Sequence, residues 1–153
     1  MKHLFFWAIG LSSIVWAQSP EPLGGVRGVV FSSLVERLPF VFSEGAFTDC
    51  TKSEAQDFTV FSCELKGTSV KVGGQNYTFT TSQVMYESHH SGKYKTYRFF
   101  GTHTERVDGF DAVSDVALTL WHYDKARNEI HGSLDLKTFA LHYSLEGRSH
   151  PER

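Results

Sequence analysis

The sequence predicts an all-β domain: an antiparallel meander closed into a small barrel or folded as a sandwich, with one short N-terminal helical turn and a cleaved signal peptide ahead of it. Three observations carry this. Apolar and polar residues alternate with period two through long stretches, as in LWHYDKARNEIHGSLDLKTFALHYS at 120–144. Turn-forming pairs, Gly73-Gly74 and Asp108-Gly109, punctuate the alternating runs. Only one stretch carries a helix start signal.

The first seventeen residues read as a processing segment. Lys2 and His3 precede the apolar run LFFWAIGLSSIV, which is too short for a comfortable membrane span, and Val15-Trp16-Ala17 offers small residues where a signal peptidase reads. Cleavage is expected after Ala17. The mature start, QSPEPLGG at 18–25, holds two prolines and two glycines and is expected to be a flexible lead-in. A single domain is expected over 26–148, with a tail at 149–153.

VRGVVF at 26–31 is β-branched enough for a strand. Ser33 followed by Glu36 forms a capping box for a helical turn that Pro39 ends. PFVFSEGAF at 39–47 returns to extended chain, and DFTVFSCEL at 57–65 carries apolar residues on both faces. In TSVKVGGQNYTFT, pairing Val72 with Gln75 across a type I′ turn sets Val70 opposite Tyr77 and Thr68 opposite Phe79. Two long strands then follow, joined around 88–93, where His89 and His90 read as a solvated turn.

The last three strands admit a register argument. A three-residue loop Ala126-Arg127-Asn128 pairs Lys125 with Glu129 and sets Leu120 against Leu134 and Leu118 against Leu136. A tight turn at Lys137-Thr138 then sets Leu134 against Leu141 and Gly132 against Tyr143. The apolar partners share one face, to which His122 also belongs. The other face carries Trp121, Tyr123, His131, Asp135 and His142, the candidate ligand or partner face. In this register His142 lies opposite Ser133, with His131 and Asp135 on diagonals. Imidazole and carboxylate suit zinc or copper, so His131 and His142 are the candidate metal ligands, with Asp135 as a third or as their orienter. The plainer reading is a solvated sheet face, whose polar residues alternate as they must. No cofactor is expected on that reading.

Composition narrows the function. The formal net charge is −2 and no run of Lys or Arg occurs, which excludes the electrostatic footprint of a nucleic-acid binder. No nucleophile elbow, zinc-protease helix, phosphate loop or dinucleotide glycine pattern is present, which argues against an enzyme. Export implies an oxidising compartment, periplasmic or extracellular, so Cys50 and Cys63 are expected to pair. Beyond the leader no apolar run is long enough to cross a membrane as a helix. The many aromatic residues then point to non-enzymatic binding of a small apolar or amphipathic ligand in the cell envelope. The alternative is a structural or protein-interaction module that meets an envelope protein and takes no small ligand.

Overall fold

In the computed structural model, which describes residues 19–33, 37–55, 57–87, 95–124, 129–136 and 141–150, every regular element is a strand. In chain order these are β1 (Gly25–Phe31), β2 (Leu38–Ser43), β3 (Ala46–Glu54), β4 (Phe58–Val72), β5 (Gln75–Glu87), β6 (Lys95–Val107), β7 (Phe110–Asp124), β8 (Glu129–Leu136) and β9 (Leu141–His150). They form one antiparallel sheet in the order β2-β1-β9-β8-β7-β6-β5-β4-β3, and a further β2–β4 pairing closes eight of them into a barrel. The predicted fold class is therefore present, as a barrel and not a sandwich. The leader at 1–17, the core of the helical turn at 34–36, the paired His89 and His90, and the 126–128 and 137–138 turns lie outside the described residues.

Closure depends on β4, which serves two partners along its length. Phe40 to Ser43 of β2 pair with Val72 to Ser69, and Ala46 to Thr48 of β3 continue the same register against Lys66 to Glu64. Strands β2 and β3 are thus one bent strand, interrupted at Glu44-Gly45, and the Gly45 N–H donates to Thr68 Oγ1 at 2.9 Å. A bulge between Glu64 and Thr68 bends β4 at the same level, with Gly67 at φ 80°.

The interior is packed. Val26, Val30, Phe40, Phe42, Val70, Phe99, Leu118, Leu120, Ile130 and Leu134 have almost no exposure. Phe42 and Phe99 stand 4.9 Å apart across the barrel, and Phe79 lies 6.1 Å from Phe99. Glycine lets strands come close where the wall turns: a Cβ on Gly101 would meet the Thr78 carbonyl oxygen at 2.1 Å, and one on Gly132 the Thr119 carbonyl oxygen at 2.1 Å. Outward positions carry Lys66, Lys71, Gln83, Arg98, Asp115, His131 and Glu146, the reverse of a transmembrane barrel's apolar exterior. Among the described residues, no helix is long and apolar enough to cross a membrane.

The β4–β5 hairpin has the expected register, Val72 with Gln75, Val70 with Tyr77 and Thr68 with Phe79. Its turn is corrected: positive φ falls on Gly73 alone (56°), the type II′ pattern, where type I′ needs both glycines. The registers of the last three strands are also corrected, each by two residues. A bulge between His122 and Asp124 pairs Asp124 with Glu129, so Leu118 faces Leu134 and Leu120 faces Gly132. Between β8 and β9 the ladder runs Leu136 with Leu141, Leu134 with Tyr143 and Gly132 with Leu145. Lys137-Thr138 lacks the Gly or Asn that a two-residue turn needs, so turn chemistry does not hold the expected register in place. A slip of two preserves the faces, so the apolar residues still point inward.

Candidate functional site

Of the face expected to bind, β7, β8 and β9 bring together one pair. Asp135 stands directly opposite His142, and the His142 Nδ1–H donates to Asp135 Oδ1 at 2.5 Å. Ser133 donates to the other carboxylate oxygen at 3.3 Å. This order is wrong for a nucleophilic triad, because the hydroxyl meets the carboxylate and not the imidazole. His131 pairs with Trp121 on one side and Glu146 on the other. It lies four residues from Asp135 along β8, about 13 Å of strand, so the register does not join His131 and His142 around one ion. Among the described residues, no group of three His, Cys, Asp or Glu is placed to hold a metal. The backbone of Tyr123 lies in β7; its side chain is outside the described set. Cys50 and Cys63 form the expected disulfide.

The more concentrated chemistry lies at the two ends of the barrel. At one end, residues 19–24 form a strap leading into β1. The lead-in is anchored there: Pro20 and Leu23 are buried. The Glu21 carboxylate meets the Lys95 ammonium, which is only 5% exposed, while the Glu21 N–H donates to the Tyr86 hydroxyl. The Tyr97 hydroxyl donates to the Glu21 carbonyl at 3.1 Å, and Lys95 Nζ lies 5.1 Å from the centre of the Tyr86 ring. Glu44, at the β2–β3 break, accepts from the Gly24 N–H at 2.6 Å. Burial is the main cause that pushes the Tyr86 hydroxyl up to about 12 and raises the Glu44 carboxyl, which the Gly24 and Leu23 N–H groups partly oppose. The Glu21 N–H, carbonyl and carboxylate and the Gly24 N–H are thus all engaged by the wall, which holds the strap across this end.

At the other mouth the described residues leave a concave space. A pocket of about 270 Å³ is lined by Gln75, Tyr77, His103, Glu105, Ser114, Leu136 and Tyr143, drawn from five strands. His103 and Ser114 are direct partners across β6 and β7, and the imidazole lies 4.6 Å from the Tyr77 ring, tilted by 51°. Ser114 is buried at the floor. Burial, then the neighbouring Tyr143 and Glu105, raises the Tyr77 hydroxyl above its ordinary value. The lining offers rings, hydroxyls, an amide, an imidazole and one carboxylate.

None of these residues was singled out from the sequence, although a signal exists. His103 and Glu105 keep the strand parity of Tyr97 and Phe99, and Ser114 that of Val116 and Leu118. Polar residues at inward positions near a strand end mark the place where a packed interior opens to water. Lys95 marks the opposite end of β6 in the same way.

Fold and site together define a small closed antiparallel β-barrel with a packed core, one strapped end and one pocketed mouth. None of the compared family models, curated proteins or solved structures matches the chain with significance.

Proposed function

We propose that this protein is an exported, non-enzymatic binding protein that takes a small amphipathic ligand at the open mouth of its barrel. The pocket lined by Tyr77, His103, Glu105, Ser114 and Tyr143 carries the reading: apolar rings and hydrogen-bonding groups from distant parts of the chain converge on one concave space. The space suits a ligand of modest size that leaves one end outside. A sealed interior site is not part of the proposal, since aromatic and aliphatic side chains fill the barrel. Export is supported by the leader-like first seventeen residues and by the Cys50–Cys63 disulfide.

Native mass spectrometry of the mature chain from an exporting host tests this. The expected result is an organic mass that co-purifies with the folded protein and is lost on denaturation and in a His103→Ala, Ser114→Val variant. A bare mass equal to that of the oxidised chain would favour an envelope structural or interaction module. That second reading draws support from the β6–β7 hairpin tip, where Phe110 is 79% exposed with Val107 and Val113 also outside the core.

A further inference from the structure

We infer that the ligand of the open mouth is a small organic cation with an apolar tail, its ammonium held against Glu105 and its tail laid along Val107 and Phe110. This rests on the binding reading above and names the ligand class for the same pocket.

Charge is the first reason. Among the seven described lining residues the formally charged side chain is Glu105, and neither Lys nor Arg joins it. An anionic ligand would bring a second negative charge beside that carboxylate with no fixed cation among these seven residues to offset it. A cation gains a charge-assisted hydrogen bond instead. Tyr77 and Tyr143 line the same pocket as the carboxylate, and aromatic rings are among the surroundings that stabilise a desolvated ammonium.

Strand geometry gives the second reason. Beyond the pocket, Glu105 pairs with Ala112 and Val107 with Phe110, closing the hairpin through Asp108 and Gly109 at φ 51° and 85°. Side chains alternate between faces, so Val107, Phe110 and Ala112 share the face on which Glu105 and His103 line the pocket. Arg106 and Asp111 pair across the opposite face, where their charges offset each other. The pocket wall therefore continues outward as an apolar strip, with Phe110 at 79% and Val107 at 46% exposure. A cationic head at Glu105 leaves a tail of a few carbons over this strip, and covering it removes apolar surface from water.

The test is calorimetric titration of the mature protein with hexylammonium, hexanol and hexanoate, alongside a butyl- to octylammonium series. Hexylammonium is expected to bind about tenfold or more tighter than hexanoate. Glu105→Gln, an exposed substitution, removes that preference while hexanol binding persists. Lengthening the tail is expected to raise affinity by up to about fourfold per methylene, and Phe110→Ser flattens that dependence. Equal binding of the three hexyl probes overturns the cation assignment and leaves the pocket reading standing. If no probe binds and none shifts the resonances of Tyr77 or His103, the pocket reading itself falls. Co-sedimentation with phosphatidylcholine vesicles without binding of free hexylammonium would move the cation to a membrane headgroup and overturn the free-ligand assignment.

Discussion

Lys95 opens β6 with its side chain almost wholly buried at the strapped end of the barrel. Its position continues the inward parity of Tyr97 and Phe99, and its ammonium is taken from water into contact with Glu21 and the Tyr86 ring. Removing the carboxylate costs more than removing both charges, because a desolvated ammonium then loses its Glu21 counter-charge. Glu21→Gln is expected to lower stability by about 1–3 kcal/mol, while Glu21→Gln combined with Lys95→Met recovers most of it; urea denaturation curves decide this. Glu44 gives a pH signature. Burial raises its carboxyl above the ordinary 4.5, so the folded chain holds this proton more tightly than the unfolded chain. Its stabilising contribution is full below the ordinary carboxylate value and is lost as pH rises through the raised one. Relative to Glu44→Gln, the native protein is expected to lose urea resistance between that acid range and neutrality; a parallel pair of pH profiles would refute it.

At the scale of elements, most strands were legible because each carries an apolar face: Val26 and Val30 in β1, Val70 and Val72 in β4, Leu118 and Leu120 in β7. Strand β3 was not. AFTDCTKSE lacks alternation, and the strand pairs with β4 alone, so no second neighbour imposes a pattern on it. Its register even shifts between Thr48 and Thr51, with Asp49 at φ 48°, beside the residue that forms the disulfide. The Cys50–Cys63 bond ties this outer strand to the barrel wall across a separation of 13 residues, worth about 3 kcal/mol on the chain-entropy model. Reduction is expected to lower the unfolding free energy by about that amount and to raise amide exchange in β3 before the barrel strands; uniform exchange across all strands would show that β3 is not a separate unit. The two-residue slips in β7–β8 and β8–β9 have a cause at the same scale. Polarity fixes a strand's faces, while bulges and turn length fix its offset, and a bulge at Tyr123 leaves no mark in an alternating sequence.

For the whole molecule the decisive step is closure. β2 must leave β1 on one edge and find the far half of β4 on the other, so residues near 40 and near 70 complete a ring that most other strands build as a hairpin meander. The aromatic core is what the ring closes upon. Phe99, fully buried between Phe42 and Phe79, is expected to cost about 3–5 kcal/mol when replaced by alanine, whereas Phe110→Ala at the hairpin tip stays within about 0.5 kcal/mol; thermal melts of both variants test the contrast. Equal losses would mean that the hairpin tip packs as core.

By itself the sequence determined the all-β class, the antiparallel meander, the register of the β4–β5 hairpin, the inward faces and the pairing of the two cysteines. These follow from local rules: side-chain alternation, turn chemistry and the scarcity of alternatives for two thiols. Tertiary structure alone decided barrel over sandwich, the offsets of the last strands, the strap held by Lys95 and Glu44, and the mouth where Tyr77, His103, Glu105, Ser114 and Tyr143 meet. Each of these is a relation between residues far apart in the chain. Period-two patterning states which side of the sheet a residue faces but carries no information about which distant strand end stands beside it.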